Sequence, residues 1–394
     1  MHPSVFAALL LLPLLFSCTA DRAENGSTPP PAAPETLTLR TEQVRGGGLF
    51  GIGAGFISFD DTTGQFPYPV TYPEGVTNVL ATRLRVQLYD SLDYIDVLLA
   101  KQDEQEVLII DENDNQNFAD DPARPFGIFS FDHDPGIPVA IRRRTADRTV
   151  RDTSWIRLGR KNVTDDYVLY STYQHRQASV DLGERHYRIG ITDPYASTTF
   201  EYGPAPELAV LAVDGEARNH LEERDHVKRG EYLHLAGQYY RFDSITRDGG
   251  EVFLTRDDRF AEREGTQVGM LAPEFHLVTT DGDTVRSEEL HDKPIVVANS
   301  CGCGGDIVST EAFTEIREAF RNDIHAIRLD SGIKDAPTGW NADVEAPYNE
   351  DIYRDYRGAY CSRMAYLVGK DRRILDQFTI TDWQESLPER LGRP

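Results

Sequence analysis

Hydrophobic and polar residues divide this chain into stretches of different period. Val5 to Phe16 is a continuous apolar run directly behind the initiator. It is too short to span a bilayer as a mature helix and reads as a leader. Residues 23–35 (AENGSTPPPAAPE) carry no period at all, and a segment with so little to bury cannot offset the entropy of ordering. From there to about Arg263 short alternating or β-branched runs recur. They predict strands at Phe56–Phe59, Arg83–Tyr89, Val107–Ile110, Tyr167–Tyr170, Tyr187–Ile191, Leu208–Val213, Tyr232–Leu235, Gln238–Phe242 and Glu251–Thr255. Turn clusters such as Asp214-Gly215 and Asp248-Gly249-Gly250 separate them, and few segments in this region show a helical period.

Beyond Val268 the pattern changes. Leu277 to Val285 reads as a hairpin turning at Asp281-Gly282. Pro294 to Ala298 is continuously apolar, as expected of a central strand covered on both faces. Ala312, Phe313, Ile316 and Phe320 mark one face of a helix. A strand follows at Asp323–Leu329, then a hairpin from Ala365–Val368 and Ile374–Phe378, then a helix near Trp383–Leu391. The predicted order is β-β-β-α-β-α-β-β-α.

These patterns predict an α+β chain with four parts. Residues 1–20 are a leader and 21–45 a disordered tether. Residues 46–265 form an all-β, sandwich-like region, in one or two subdomains. Residues 266–394 form an α/β domain. The glycine-rich stretch Gly46–Gly55 precedes a strand rather than a helix, so it reads as a flexible lead into a sheet and not as a phosphate cradle.

Charge narrows the function. With 65 acidic against 41 basic side chains the net charge is −24, a field that repels phosphate backbones and argues against a nucleic-acid partner. Leu15-Phe16-Ser17-Cys18 resembles a bacterial lipobox, and that resemblance implies Cys18 as the lipidated first residue of a periplasmic or outer-membrane lipoprotein held to the membrane by its anchor. Cleavage after Ala20 is the competing reading, and both export the chain.

Two loops carry candidate chemistry. In Asp111–Asp121 (DENDNQNFADD) oxygen-bearing side chains recur at alternate positions, so Asp111, Asn113, Asn115, Asn117 and Asp121 could surround a hard cation such as Ca²⁺. Asp111, Asn113 and Asn115 resemble the start of EF-hand and dockerin calcium loops, although Gln116 stands where those loops have Gly. A solvated acidic turn is the alternative.

The second loop lies between the predicted central strand and helix: Asn299-Ser300-Cys301-Gly302-Cys303-Gly304-Gly305-Asp306. A thiol at a strand-to-helix junction meets unpaired amides and the positive end of the helix dipole. These favour thiolate and can bring a cysteine from ~8.5 into the range of about 3.5–7.5. Asp306 reads as a helix cap. The stretch Lys293–Asp306 resembles the strand, loop and helix of thioredoxin-like proteins, with Cys303 on the first cysteine of their Cys-x-x-Cys pair and Asp306 in place of the second. Cys301-Gly302-Cys303, together with Thr338-Gly339-Trp340 and Gly358–Arg363, resembles the thyroid-hormone deiodinases, whose selenocysteine falls at Cys303; the chain has no histidine after His325. Ser300, three residues before Cys303, and Arg363, in the place of the thioredoxin cis-proline, also resemble peroxiredoxins.

These resemblances imply a redox nucleophile at Cys303, assisted by Ser300 and Arg363 and resolved by Cys301 or Cys361. No cofactor is needed for such catalysis. The partners are a peroxide or a small-molecule or protein thiol substrate, and an external thiol reductant. The alternative is a non-catalytic binding or structural lipoprotein with a calcium-stabilised β-region and a degenerate redoxin domain, in which two of the three mature cysteines form an ordinary bridge.

Overall fold

The computed structural model describes residues 35–51, 53–59, 66–86, 93–130, 135–144, 149–165, 167–194, 196–300, 306–330, 340–343, 346–357 and 362–392. Among them no helix is long and apolar enough to cross a membrane.

Strands begin earlier than the sequence pattern suggested. Thr36–Arg40 and Glu42–Arg45, expected to be the end of a tether, are both strands. Thr36–Arg40 pairs antiparallel with Glu251–Arg256, and Glu42–Arg45 pairs with Gln174–Leu182. The reason is the alternation Leu37, Leu39: Leu39 is buried in the core between two sheets, and pairing across more than 200 residues supplies the hydrogen bonds that local sequence cannot.

The β-rich region packs as two sandwiches. In one, the sheet of Tyr232–Leu235, Gln238–Ile245, Glu251–Arg256 and Thr36–Arg40 faces the sheet containing Gln174–Leu182, Arg185–Thr192 and Glu207–Val213. Phe242, Leu254, Ile189 and Leu208 meet between them. In the other, Thr77–Arg85, Tyr94–Gln102 and Gln105–Ile110 form a sheet against Gly55–Ser58, Ile137–Arg144, Thr149–Gly159 and Tyr167–Thr172, with Val97, Ile110, Ile141 and Ile156 between. Residues 55–172 are therefore an insertion between two paired strands of the first sandwich. Several of these strands escaped the sequence pattern. Ile137–Arg144 ends in arginines and Thr149–Gly159 alternates with charged groups, one of which, Arg157, is fully buried against the ring of Tyr173.

The C-terminal elements, labelled here in chain order, are β1 (His276–Val278), β2 (Thr284–Arg286), β3 (Ile295–Asn299), α1 (Ile307–Ala319), β4 (His325–Asp330), β5 (Trp340–Asp343), α2 (Glu350–Tyr356), β6 (Met364–Val368), β7 (Ile374–Thr379) and α3 (Trp383–Arg390). β1 and β2 form the expected hairpin. The main sheet runs β5-β4-β3-β6-β7, with β3 parallel to β4, β4 parallel to β5, and β6 antiparallel to β3. Strand β5 is an addition to the predicted order; its four residues (WNAD) are too few and too polar to show a period.

All five residues of β3 are buried. Val296 and Ala298 pack towards α1 and α3 with Phe313, Ile316 and Leu387. Ile295 and Val297 pack on the other face with Leu277, Ile352 and Tyr356. Each fully buried aliphatic side chain of this kind contributes about 1.5–3 kcal/mol, so β3 is anchored on both faces. A β3-α1-β4 crossover followed by an antiparallel β6-β7 hairpin and a closing helix is a thioredoxin-like arrangement.

Candidate functional site

Three chain segments leave one edge of this sheet. β3 and β4 are parallel and end there, leading into residues 301–305 and 331–339. β6 is antiparallel to β3 and starts there, following residues 358–361. The carboxyl edge of parallel strands, where connections diverge to opposite sides, is the usual position of a site in an open α/β sheet. Cys301, Cys303 and Cys361, like Cys18, lie outside the described residues. The side chains that flank them are described, and several are tied together.

Asn299 ends β3 and is completely buried. Its Nδ2 donates to the Tyr356 carbonyl (3.0 Å) and to the Met364 carbonyl (2.9 Å). One side chain thus pins both flanks of the 358–361 segment to the residue that opens the 300–306 loop. Ser300, also fully buried, donates its N–H to the Leu329 carbonyl (3.0 Å). The same carbonyl accepts from Arg357 Nη1 (3.2 Å), and Arg357 is only 3% exposed.

Arg328 is the group that the sequence pattern did not reveal. It lies on β4 beside Ala298, two residues after Ala326 and therefore on the same face, towards α1. It is 6% exposed. Its Nε donates to Ser300 Oγ (3.2 Å), and its Nη2 to Thr310 Oγ1 of α1 (2.8 Å) and Asp330 Oδ2 (2.6 Å). A buried guanidinium thus joins the residue before Cys301 to the first turns of α1. The only sequence signal was an Arg-x-Asp pair inside an apolar strand, Ile327-Arg328-Leu329-Asp330, where i and i+2 share a face.

Asp306 caps α1. Its Oδ1 accepts the Ser309 N–H (3.4 Å), and the Thr310 hydroxyl donates to its carbonyl (3.0 Å). Its carboxylate also receives Arg363 Nη2 (2.8 Å) and Nε (3.2 Å), a two-pronged pair in which the Asp306 side chain is 2% and that of Arg363 47% exposed. Arg363 is therefore engaged with the helix cap. The helix starts with Ile307 and Val308, both largely exposed, which gives the loop an apolar flank. Burial foremost, and then the carboxylates of Glu223 and Glu231, push the Tyr366 phenol up and keep it protonated.

The Asp111–Asp121 loop is built differently. Asp111 is 4% exposed, and its two oxygens accept the N–H groups of Asn115 (3.0 Å) and Gln116 (2.8 Å). Asn115 Oδ1 accepts from Asn117 N–H and Asn117 Oδ1 from Ala119 N–H. The Nδ2 groups of Asn113 and Asn115 point to Asp120, and Asp121 Oδ1 accepts the Glu112 N–H (3.1 Å). Arginines cover Asp114 and Glu112. Among the described residues no group of three His, Cys, Asp or Glu side chains converges as for a metal ion.

No family model matches the sequence, and no curated protein sequence does. Solved structures do. One is the C-terminal domain of a proposed thiol-disulfide oxidoreductase from Bacteroides thetaiotaomicron (16% identity over 32% of this chain and 97% of that one, TM-score 0.27). Another is a thiol:disulfide interchange protein from Bacteroides sp. (13% identity, 34% and 92%, TM-score 0.27). A third is the thioredoxin domain of a thiol-disulfide oxidoreductase from Bacteroides vulgatus (14% identity, 30% and 95%, TM-score 0.24).

Proposed function

We propose that the chain is a thiol-dependent oxidoreductase of the cell envelope, anchored through Cys18, whose redox nucleophile is Cys303. The observation that carries this reading is the network round the 301–305 segment: Asn299, Ser300 and Asp306 flank it, and each is held by a group distant in sequence. The buried Arg328 guanidinium at Ser300 and the half-exposed Arg363 guanidinium at Asp306 are balanced by the Asp330 and Asp306 carboxylates, and the N-terminus of α1 adds its dipole. The amides and dipole of the helix N-terminus favour thiolate over thiol.

With a peroxide, the thiolate sulfur attacks one oxygen. An S–O bond forms as the O–O bond breaks, and the departing alkoxide or hydroxide takes a proton from solvent. The sulfenic acid is then attacked by a second thiolate, Cys361 or Cys301; an S–S bond forms as the S–O bond breaks, and the departing hydroxide takes a proton from solvent to leave as water. An external thiol reduces that disulfide by exchange. With a disulfide substrate the first attack instead gives a mixed disulfide and a substrate thiolate. The exposed Ile307 and Val308 suit an apolar substrate surface in either case.

The test is a count of free thiols before and after one equivalent of hydrogen peroxide, and separately of a small disulfide, in the full chain and in Cys303→Ser. The expected result is rapid loss of thiols in the wild type and loss no faster than a blank in the variant. Equal rates in the two proteins refute the assignment.

A further inference from the structure

A second concavity lies at the opposite end of the sheet from the carboxyl edge described above. β4 runs from His325 to Asp330, so its amino end stands five residues, roughly 17 Å, from that edge. There the end of α1 and the starts of β4 and β5 border a groove of about 450 Å³, within the usual size of a small-molecule site. Its floor is apolar, with Phe320 and Ile324 both buried. One wall is aromatic. The rings of His325 and Trp340 stack with centroids 5.3 Å apart and planes 22° from parallel. The Asp292 carboxylate holds the His325 ring through Nε2 (2.7 Å), so this flat wall is fixed in orientation.

The side chains at the rim are mostly donors. Arg317 lies in the last turn of α1 and Arg321 just past its end. Neither has a hydrogen-bond or ion-pair partner among the described residues, and the Trp340 indole N–H is likewise uncommitted there. The Trp383 indole, by contrast, donates to Glu315 (3.3 Å). Glu318 is the one acid among the lining residues; it is exposed and pairs with neither arginine. Two unpaired guanidiniums on one groove stand out in a chain of net charge −24. Elsewhere Arg83, Arg142, Arg328 and Arg363 are each met by a carboxylate.

We propose that this groove binds a small aromatic carboxylate, its ring against Trp340 and His325 and its carboxylate on Arg317 and Arg321. A planar apolar body covers the floor and stacks on the wall. An acceptor-only head group matches guanidinium forks, which take carboxylates with two parallel bonds. A neutral aromatic leaves the arginines unmet, and an inorganic anion leaves the apolar floor wet. The groove shares no residue with the thiol site, so the proposal goes beyond that chemistry and does not depend on it. Cations at a helix C-terminus also complement the helix dipole, and the test has to separate that role from ligand binding.

The probe is 2-naphthoate, titrated near neutral pH into the full chain carrying 5-fluorotryptophan. The chain has three tryptophans, and the fluorine signal that disappears in Trp340→Phe identifies Trp340. The expected result is a saturable shift of that signal, with the signal of Trp155 unmoved. Arg317→Gln/Arg321→Gln is expected to weaken binding about tenfold. Exchange of the probe for neutral 2-naphthalenemethanol should weaken it as much, a comparison that needs no variant. Thermal melts read the helix-end role separately. A lower Tm in the double variant with undiminished affinity assigns the arginines to the helix end alone and overturns the proposal. A Trp340 signal that does not move up to about 10 mM probe, or equal binding of the acid and the alcohol, overturns it as well.

Discussion

Two polar loops in this protein follow buried strands, and they use their polar groups in opposite ways. In Asp111–Asp121 both oxygens of Asp111 and one each of Asn115, Asn117 and Asp121 accept backbone amides from within the same eleven residues, while Arg142 and Arg124 come from nearby strands to Asp114 and Glu112. At the β3–α1 junction the partners come from far along the chain: Asn299 from Tyr356 and Met364, Ser300 from Arg328, Asp306 from Arg363. Its amide bonds are mostly local, and the arginines that meet it pair with its outer carboxylates rather than with the amides that shape the turn. A junction held from four directions has been fixed by the whole domain, at a cost in buried charge and buried amide that packing alone would not require. That is the signature expected where geometry has to be kept for chemistry.

The sharpest way to break the contrast is to remove the buried charge. Arg328→Met leaves Asp330 without its 2.6 Å partner, and breaking a buried pair from one side costs about 3–5 kcal/mol. Denaturant unfolding should show a loss of that size, together with slower alkylation of Cys303 near neutral pH. Asn299→Ala comes next. Two backbone carbonyls lose their donor in a fully buried place, which costs about 1–3 kcal/mol for each group left unsatisfied. The change should also raise hydrogen exchange in the segments before β6 while sparing the two sandwiches.

The smallest effect belongs to the other loop. Burial, and then repulsion from Asp111, Asp120 and Glu112, raises the Asp121 carboxyl from an ordinary 3.8 to about 6, against the pull of its bond from the Glu112 amide. The folded state therefore binds this proton more tightly than the unfolded chain. The resulting stability is fully present below pH ~4 and is lost as pH rises through about 6. Asp121→Asn keeps an acceptor for the Glu112 N–H and removes the charge. The variant should lose the wild type's decline in Tm between pH 5 and pH 7, as read by thermal melts. A calcium ion held by this loop would compete with that proton for the same oxygens. A rise in Tm with millimolar calcium at pH 7 that Asp121→Asn abolishes would show that the loop also takes a cation, and no rise would show a turn complete in itself.

Legibility in the sequence followed the same division between local and distant. The apolar run at 295–298, the helix face of Ala312, Phe313 and Ile316, and the final hairpin were readable because each is a periodic segment whose signal is contained within it. The capping role of Asp306 was readable from its place before the helix. What escaped depended on partners elsewhere. Thr36–Arg40 is a strand because Glu251–Arg256 lies beside it. Trp340–Asp343 is a strand because β4 offers an edge. Arg328 is hidden because a charged residue in a strand ordinarily marks a solvent-facing position, and only the fold brings Ser300, Thr310 and Asp330 to meet it.

The account depends on the acidity of one thiol. The rate of Cys303 alkylation in the full chain should be followed from pH 4 to pH 10 by mass spectrometry, with Cys301 and Cys361 replaced by Ser. The account predicts a midpoint within about 3.5–7.5, moving upward in Arg328→Met. A midpoint near ~8.5, the value of a free cysteine, unmoved by that substitution, would contradict it.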